Sequence, residues 1–187
     1  CRFGYRDSIF KQEGRGKYVI LEVTFRLTRS SHRIDVEYGA IQSELENMGI
    51  INPTIQDVSR AVINIRQSKL PDPKEIGNAG SFFKNPTIPL TQYETLKLKF
   101  EDIPGYPNGD FVKVPAGWLI EQCGWKGKQI GNVASHKLQA LVIINATGNA
   151  TGKEKYELST MINDSVKEKY GIELEREVNI IKNKKMG

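Results

Sequence analysis

Within residues 18–27, hydrophobic side chains recur at every second position from 19 to 27. Val19, Leu21, Val23, Phe25 and Leu27 fall on one side, and Glu22, Thr24 and Arg26 on the other. Side chains along a strand point to alternate faces, so the pattern predicts a half-buried strand. A second short strand or edge segment is predicted over 3–10, with a polar connection over 28–32. The period then lengthens. Ile55, Val58, Val62 and Ile65 recur at helical spacing. Pro53 precedes them, and Thr54 stands three residues before Asp57, as in a capping box. A helix is therefore predicted over 54–67. Leu70-Pro71-Asp72-Pro73 stops it, because proline fixes φ and removes a donor. That stop is the strongest candidate domain boundary.

Thr91 and Glu94 repeat the capping-box spacing ahead of Leu96 and Phe100. Residues 104–110 are turn-rich, a short strand is predicted over 111–114, a short helix over 117–123 and a buried strand over 138–145. Thr151 and Glu154 form a third box, followed by Leu158, Met161, Ile162 and Val166 on one face and by Gly171 as a C-cap. A closing strand is predicted over 175–181. Strands and helices mix without a regular βαβ rhythm and without internal repeats. The expected class is α+β, a mixed or antiparallel sheet with packed helices.

Composition narrows this picture. The chain has 187 residues, 39% of them hydrophobic, enough for a core. Its longest apolar run, 140–144, is too short to span a bilayer, so no membrane partner is expected. It opens on Cys1 rather than Met, with no signal-peptide pattern, and reads as starting part-way along a protein. Cys1 and Cys123 are too few for a disulfide framework and fit a reducing cytoplasm. The net charge of +5 fits either a lysine-rich tail (Lys182, Lys184, Lys185) or an anionic ligand such as phosphate. Nucleic acid is not expected, because aromatics do not interleave with a basic stripe.

Chemistry concentrates in Asn78-Ala79-Gly80-Ser81-Phe82-Phe83-Lys84-Asn85-Pro86. In an extended strand Ser81, Phe83 and Asn85 share a face, joining a hydroxyl, an aromatic wall and an amide. No metal centre is expected: there is no CxxC or HExxH, and His32 and His136 stand far apart. Ser81 lacks the GxSxG elbow of a hydrolase. By residue type alone, Ser81 is a strand-edge serine or a catalyst. Arg6, Lys69 and Glu177 are likewise solvated side chains or site groups.

Longer motifs bear on that choice. Cys1-Arg2-Phe3-Gly4-Tyr5-Arg6-Asp7-Ser8-Ile9-Phe10-Lys11, Lys69-Leu70-Pro71-Asp72-Pro73 and the 78–86 stretch resemble, in order, segments of the UDP-N-acetylenolpyruvoylglucosamine reductase family, whose members are also called UDP-N-acetylmuramate dehydrogenases. So do Ala116-Gly117-Trp118-Leu119-Ile120-Glu121-Gln122-Cys123, Gln139-Ala140-Leu141-Val142 and Leu174-Glu175-Arg176-Glu177-Val178. The resemblance implies a bacterial cytoplasmic flavoenzyme of peptidoglycan synthesis. NADPH reduces a bound FAD, and the reduced flavin passes hydride to the enolpyruvyl ether of a UDP-sugar.

The resemblance also implies roles. Arg6 holds the substrate carboxylate, Glu177 helps polarise it, and Ser81 delivers a proton to the enolate carbon. Tyr38, on a loop of the family's type I branch, together with Lys69, Asn85, Tyr106 and Gln139, surrounds the UDP-sugar, and Arg66 lies nearer the flavin. Lys182 stands where a glycine is usual. The resemblance further implies a carboxy-terminal fragment lacking most of the FAD-binding domain. Residues 1–66 and 178–187 are then the remnant of that domain, and 67–177 the substrate domain. The missing FAD-binding half is an expected partner, and the fragment alone is expected to be inactive. The alternative from another class is a non-catalytic UDP-sugar-binding module.

Overall fold

A computed structural model describes residues 1–181. In chain order the elements are α1 (Ile41–Asn47), α2 (Ile55–Lys69), β1 (Asn78–Ser81), β2 (Thr87–Pro89), α3 (Leu90–Lys99), β3 (Tyr106–Asn108), β4 (Phe111–Lys113), α4 (Ala116–Gln122), β5 (Gln129–Ile130), β6 (Val133–Ser135), β7 (Val142–Asn145) and α5 (Gly152–Tyr170). The class is α+β. The chain divides into two compact units, one of residues 1–64 and one from residue 65 on.

In the first unit α1 is joined to α2 by Asn64, well inside that helix, whose amide donates to Glu44 Oε1 at 2.9 Å. The capping box ahead of α2 forms: Thr54 N donates to Asp57 Oδ2 at 2.8 Å, and Asp57 N donates to Thr54 Oγ1 at 3.3 Å. Residues 18–27, by contrast, form no strand and pair with no other described segment. Val19, Leu21, Phe25 and Leu27 are exposed, Leu21 by 90%. Alternation sets which side chains share a face, but a strand also needs a ladder to fill its N–H and C=O groups. The segment expected over 3–10 reduces to one bridge between Gly4 and Asp7 and a 3-10 turn, Ile9–Lys11.

The second unit has two antiparallel sheets, ordered β1-β7-β6-β5 and β2-β4-β3. Helix α5 packs on β6 and β7 through Leu158, Ile162 and Val166, all buried and spaced to fall on one stripe. Met161, expected on that stripe, is 44% exposed. The helix starts at a complete Thr151/Glu154 capping box and ends at Gly171, whose φ of 65° is the left-handed conformation that glycine adopts without strain.

The Thr91/Glu94 spacing does not cap α3. The helix begins one residue earlier, at Leu90, whose N–H donates to Asp110 O at 3.0 Å, and Thr91 lies inside it. The strand expected over 138–145 shortens to β7, since 138–141 turn away. The closing strand over 175–181 reduces to a single bridge, Phe83 to Arg176. Among the described residues no helix is long and apolar enough to cross a membrane, and no group of three or more His, Cys, Asp or Glu could hold a metal ion.

Candidate functional site

Ser81 is the last residue of β1, half-buried, and lies opposite Val142 of β7. Pairing then passes to the closing segment. Phe82 N donates to Leu141 O at 2.8 Å, Glu177 N donates to Phe82 O at 2.9 Å, and Lys84 N donates to Glu175 O at 2.9 Å. Residues 82–84 and 175–177 thus form a short antiparallel clip, and Glu177 sits on the rung next to Ser81. The expected alternation does not persist through 81–85. Phe82 and Phe83 are both buried, because regular pairing with β7 ends at Ser81 and the chain turns both rings into the core.

Beside this clip a cavity of about 570 Å³ opens to solvent. Lys69, Asn85 and Gln139 line it together, with Gly117, Trp118 and Glu121 of α4 on one wall. Each polar group has a structural reason for its place. Asn85 Oδ1 accepts the N–H of Ala116 at 2.9 Å, filling one of the donors that the start of a helix leaves open. Its Nδ2 is left as the donor toward the cavity. Gln139 Oε1 accepts from Leu141 N over a long 3.5 Å, and its side chain makes no other hydrogen bond among the described residues. Lys69 ends α2, where a cation suits the negative end of the helix dipole. Gly117 keeps the wall open: a Cβ there would lie 3.3 Å from Gln139 Oε1 and 3.6 Å from Leu141 Cδ1.

Tyr106 and Arg66 belong to the same unit but do not line the cavity. Tyr106 is exposed on β3, with Lys113 Nζ 5.5 Å from its ring centroid. Arg66 is exposed on α2, one turn before Lys69. Arg6 and Tyr38 belong to the first unit. Arg6 occupies a tight turn closed by reciprocal Gly4–Asp7 hydrogen bonds, with φ of 57°. Residues other than glycine seldom adopt that backbone, which Arg2 and Ser31 share in this unit. Tyr38 is 85% exposed at the turn into α1. Lys182 lies outside the described residues.

Trp118 and Glu121 lie in the motif stretch 116–123, but nothing in their residue type or spacing marks them as cavity-lining. Glu121 is paired with Lys126 at 2.8 Å. Behind Trp118 lies Tyr170, their ring centroids 6.0 Å apart. Burial, then the nearby Cys123, pushes the Tyr170 phenol up to about 12. Burial likewise raises the Cys123 thiol, against the pull of Lys169, and lowers His136, with Lys137 adding to the effect. Tyr170 Oη and His136 Nδ1 are buried with no hydrogen-bond partner among the described residues.

Comparison with known proteins fits these motifs. Residues 72–181 match the family described as "UDP-N-acetylenolpyruvoylglucosamine reductase, C-terminal domain". The chain is 51% identical over 182 residues to the UDP-N-acetylenolpyruvoylglucosamine reductase of Flavobacterium johnsoniae, a match that takes in 97% of this chain and 54% of that protein. Proteins of the same name from Chromobacterium violaceum and Pseudomonas aeruginosa are each 50% identical, over 97% and 96% of this chain and 53% and 52% of their own lengths. The chain spans about half the length of the curated relatives it matches.

Proposed function

The chain belongs to the UDP-N-acetylenolpyruvoylglucosamine reductase family, and from that premise we propose that it forms the substrate-holding part of a bacterial cytoplasmic enzyme. That enzyme reduces the enolpyruvyl ether of UDP-N-acetylglucosamine to the lactyl ether of UDP-N-acetylmuramate, a step in peptidoglycan synthesis, with FAD and NADPH as cofactors. The observation that carries this reading is the meeting of Lys69, Asn85 and Gln139 on one cavity, beside the clip that brings position 177 next to Ser81.

Each side chain has a physical task. Lys69 supplies a mobile point charge for a diphosphate. Asn85, its oxygen already engaged by Ala116, offers N–H donors to an acceptor on the base. Gln139 adds a second donor, while Tyr38 and Tyr106 cover the nucleotide sugar. The guanidinium of Arg6 matches a planar carboxylate with two parallel hydrogen bonds. Glu177 helps polarise that carboxylate by donating the O–H of its carboxylic acid, and a well-placed donor of this kind contributes about 3–4 kcal/mol to the transition state. Ser81 Oγ gives its proton to the carbon that carries the developing negative charge. Such general acid catalysis contributes about 10²–10⁴-fold.

The described residues do not themselves fit a flavin. Gly14-Arg15-Gly16 is the nearest approach to a glycine turn, but a Cβ at Gly14 would lie 2.8 Å from Ile9 O, so the turn is closed on its own backbone. Residues 18–27 form neither helix nor strand, so no helix N-terminus follows that turn to offer its N–H groups to a pyrophosphate. In this reading Arg66 lies nearer the flavin. Residues 1–66 and 178–187 belong with the flavin-binding domain, 182–187 lying outside the described residues, and 67–177 make up the substrate domain. The exposed apolar strip of Val19, Leu21, Phe25 and Leu27 packs on the FAD-binding half of the same protein.

Trp118 lines the cavity and is a built-in reporter. Titrating the full-length protein with UDP should quench tryptophan fluorescence saturably, with weaker binding after Lys69→Met and Asn85→Asp. A response equal to that of inorganic pyrophosphate, unchanged by either substitution, would overturn the reading.

A further inference from the structure

The segment that carries Glu177 is not a full strand. Its main chain holds to 82–84 through the bonds at Glu175 and Glu177 alone, with one bridge between them. What fixes its orientation is a side chain. We propose that Arg176 is the positioning residue for Glu177, acting by docking the segment onto α5; this rests on the role for Glu177 argued above.

Arg176 Nε donates to Ser159 Oγ and its Nη2 to Thr160 Oγ1, both at 2.8 Å, and its guanidinium carbon lies 4.6 Å from the centroid of the Tyr156 ring. Positions 156, 159 and 160 share one face of a helix. The two hydroxyls are committed as acceptors. Ser159 Oγ and Thr160 Oγ1 both donate to Tyr156 O, at 2.6 Å and 3.1 Å, so each has only lone pairs to turn toward the guanidinium. Ser159 is wholly buried, so losing the arginine strands a buried acceptor.

Parity does the rest. Ile172 and Leu174 are buried and Val178 packs against the core, so even-numbered positions of the segment turn inward. Glu173 and Glu175 are exposed, each paired with a lysine at the surface. Arg176 belongs to the inward set and lies opposite the buried Phe83. Side chains of an extended segment alternate, so docking Arg176 on α5 turns Glu177 to the other side. A second anchor, Leu174 N to Asn163 Oδ1 at 2.6 Å, holds the same segment two residues upstream. It leaves the twist at 176–177 to the arginine.

The test uses the full-length protein with two readouts, amide hydrogen exchange by mass spectrometry and steady-state kinetics. Arg176→Lys keeps the charge but loses the fork. It should speed exchange in peptides covering 82–85 and 174–178 about tenfold, leaving the interior of α5 unchanged. It should lower kcat by about 10- to 100-fold with KM nearly constant, the signature of a misplaced catalytic group. Ser159→Ala with Thr160→Val should reproduce both effects and add little to Arg176→Lys, since they cut the same link. Uniform acceleration of exchange throughout α5, or local acceleration with kcat unchanged, would overturn the proposal and leave Arg176 a mere core anchor. Glu177→Gln separates the two claims. If it lowers kcat while Arg176→Lys does not, positioning alone fails; if it leaves kcat intact, the role of Glu177 fails with it.

Discussion

The amide of Glu177 donates to the carbonyl of Phe82 at 2.9 Å, and Phe82 directly follows Ser81. Residues 96 positions apart in sequence are thereby set on adjacent rungs, a hydroxyl at the end of β1 and a carboxyl on the segment after α5. The arrangement needs only a few main-chain bonds, so its chemistry depends on the side chains that tension it.

If Ser81 gives up the proton, Ser81→Ala in the full-length protein should lower kcat for the enolpyruvyl substrate by about 10²–10⁴-fold, with KM close to that of the parent. Steady-state kinetics would decide. A variant that loses affinity but keeps kcat would make Ser81 a binding residue.

Gly117 guards the room in the cavity. Its replacement by alanine should weaken UDP binding about tenfold, because the added methyl would lie 3.3 Å from Gln139 Oε1, tighter than ordinary contact, and displace that side chain. Calorimetric titration would report this. An unchanged or tighter Kd would mean that the nucleotide does not occupy this wall.

Gly105 is a case of close approach. A Cβ there would lie 2.5 Å from Tyr93 Cζ and 2.7 Å from its hydroxyl, which donates to Ile103 O at 2.9 Å. The ring is half-buried against the core, and the hydroxyl bond to Ile103 O holds it there. Gly105→Ala should therefore cost about 1–3 kcal/mol, measured as a lower urea midpoint.

Tyr170 offers the opposite case. Its hydroxyl is buried without a partner among the described residues. Tyr170→Phe removes that burden and keeps the ring against Phe100, centroids 4.7 Å apart. Stability should hold or rise by up to about 1 kcal/mol. A loss larger than that would reveal a partner for the hydroxyl.

Asp57 and Glu154 both cap helices and both have lowered pKa values. Hydrogen bonds from the side chain and backbone of Thr54, then that from Arg60, bring Asp57 to about 2, from an ordinary 3.8. The backbone and side chain of Thr151, then Asn132, lower Glu154. Since the folded values lie below the unfolded ones, the stabilisation is present at neutral pH and fades as the pH falls through the folded value. Carboxyl NMR should place the Asp57 midpoint near 2, and Thr54→Val should move it up toward 3.8. Thr151→Ala should cost about 1 kcal/mol of stability at neutral pH.

What could be read from the sequence alone was local. The Thr54/Asp57 and Thr151/Glu154 boxes and the glycine at 171 are set by neighbours within four residues, and those helices appear where the pattern puts them. The motifs also identified the family, and with it a set of candidate side chains. The partners of those side chains were decided by tertiary structure. Thr91/Glu94 has the capping spacing, yet Asp110 receives the first amide of α3 and overrides it. The strip from Val19 to Leu27 has the period of a strand, but period carries no ladder partner. Ala116 and Asn85, Arg176 and Ser159, Glu177 and Phe82 meet only because packing the two sheets and α5 around one core brings distant segments within hydrogen-bond reach. Side-chain spacing encodes which face a residue takes, while the partner opposite that face is fixed by the long-range burial that closes the fold.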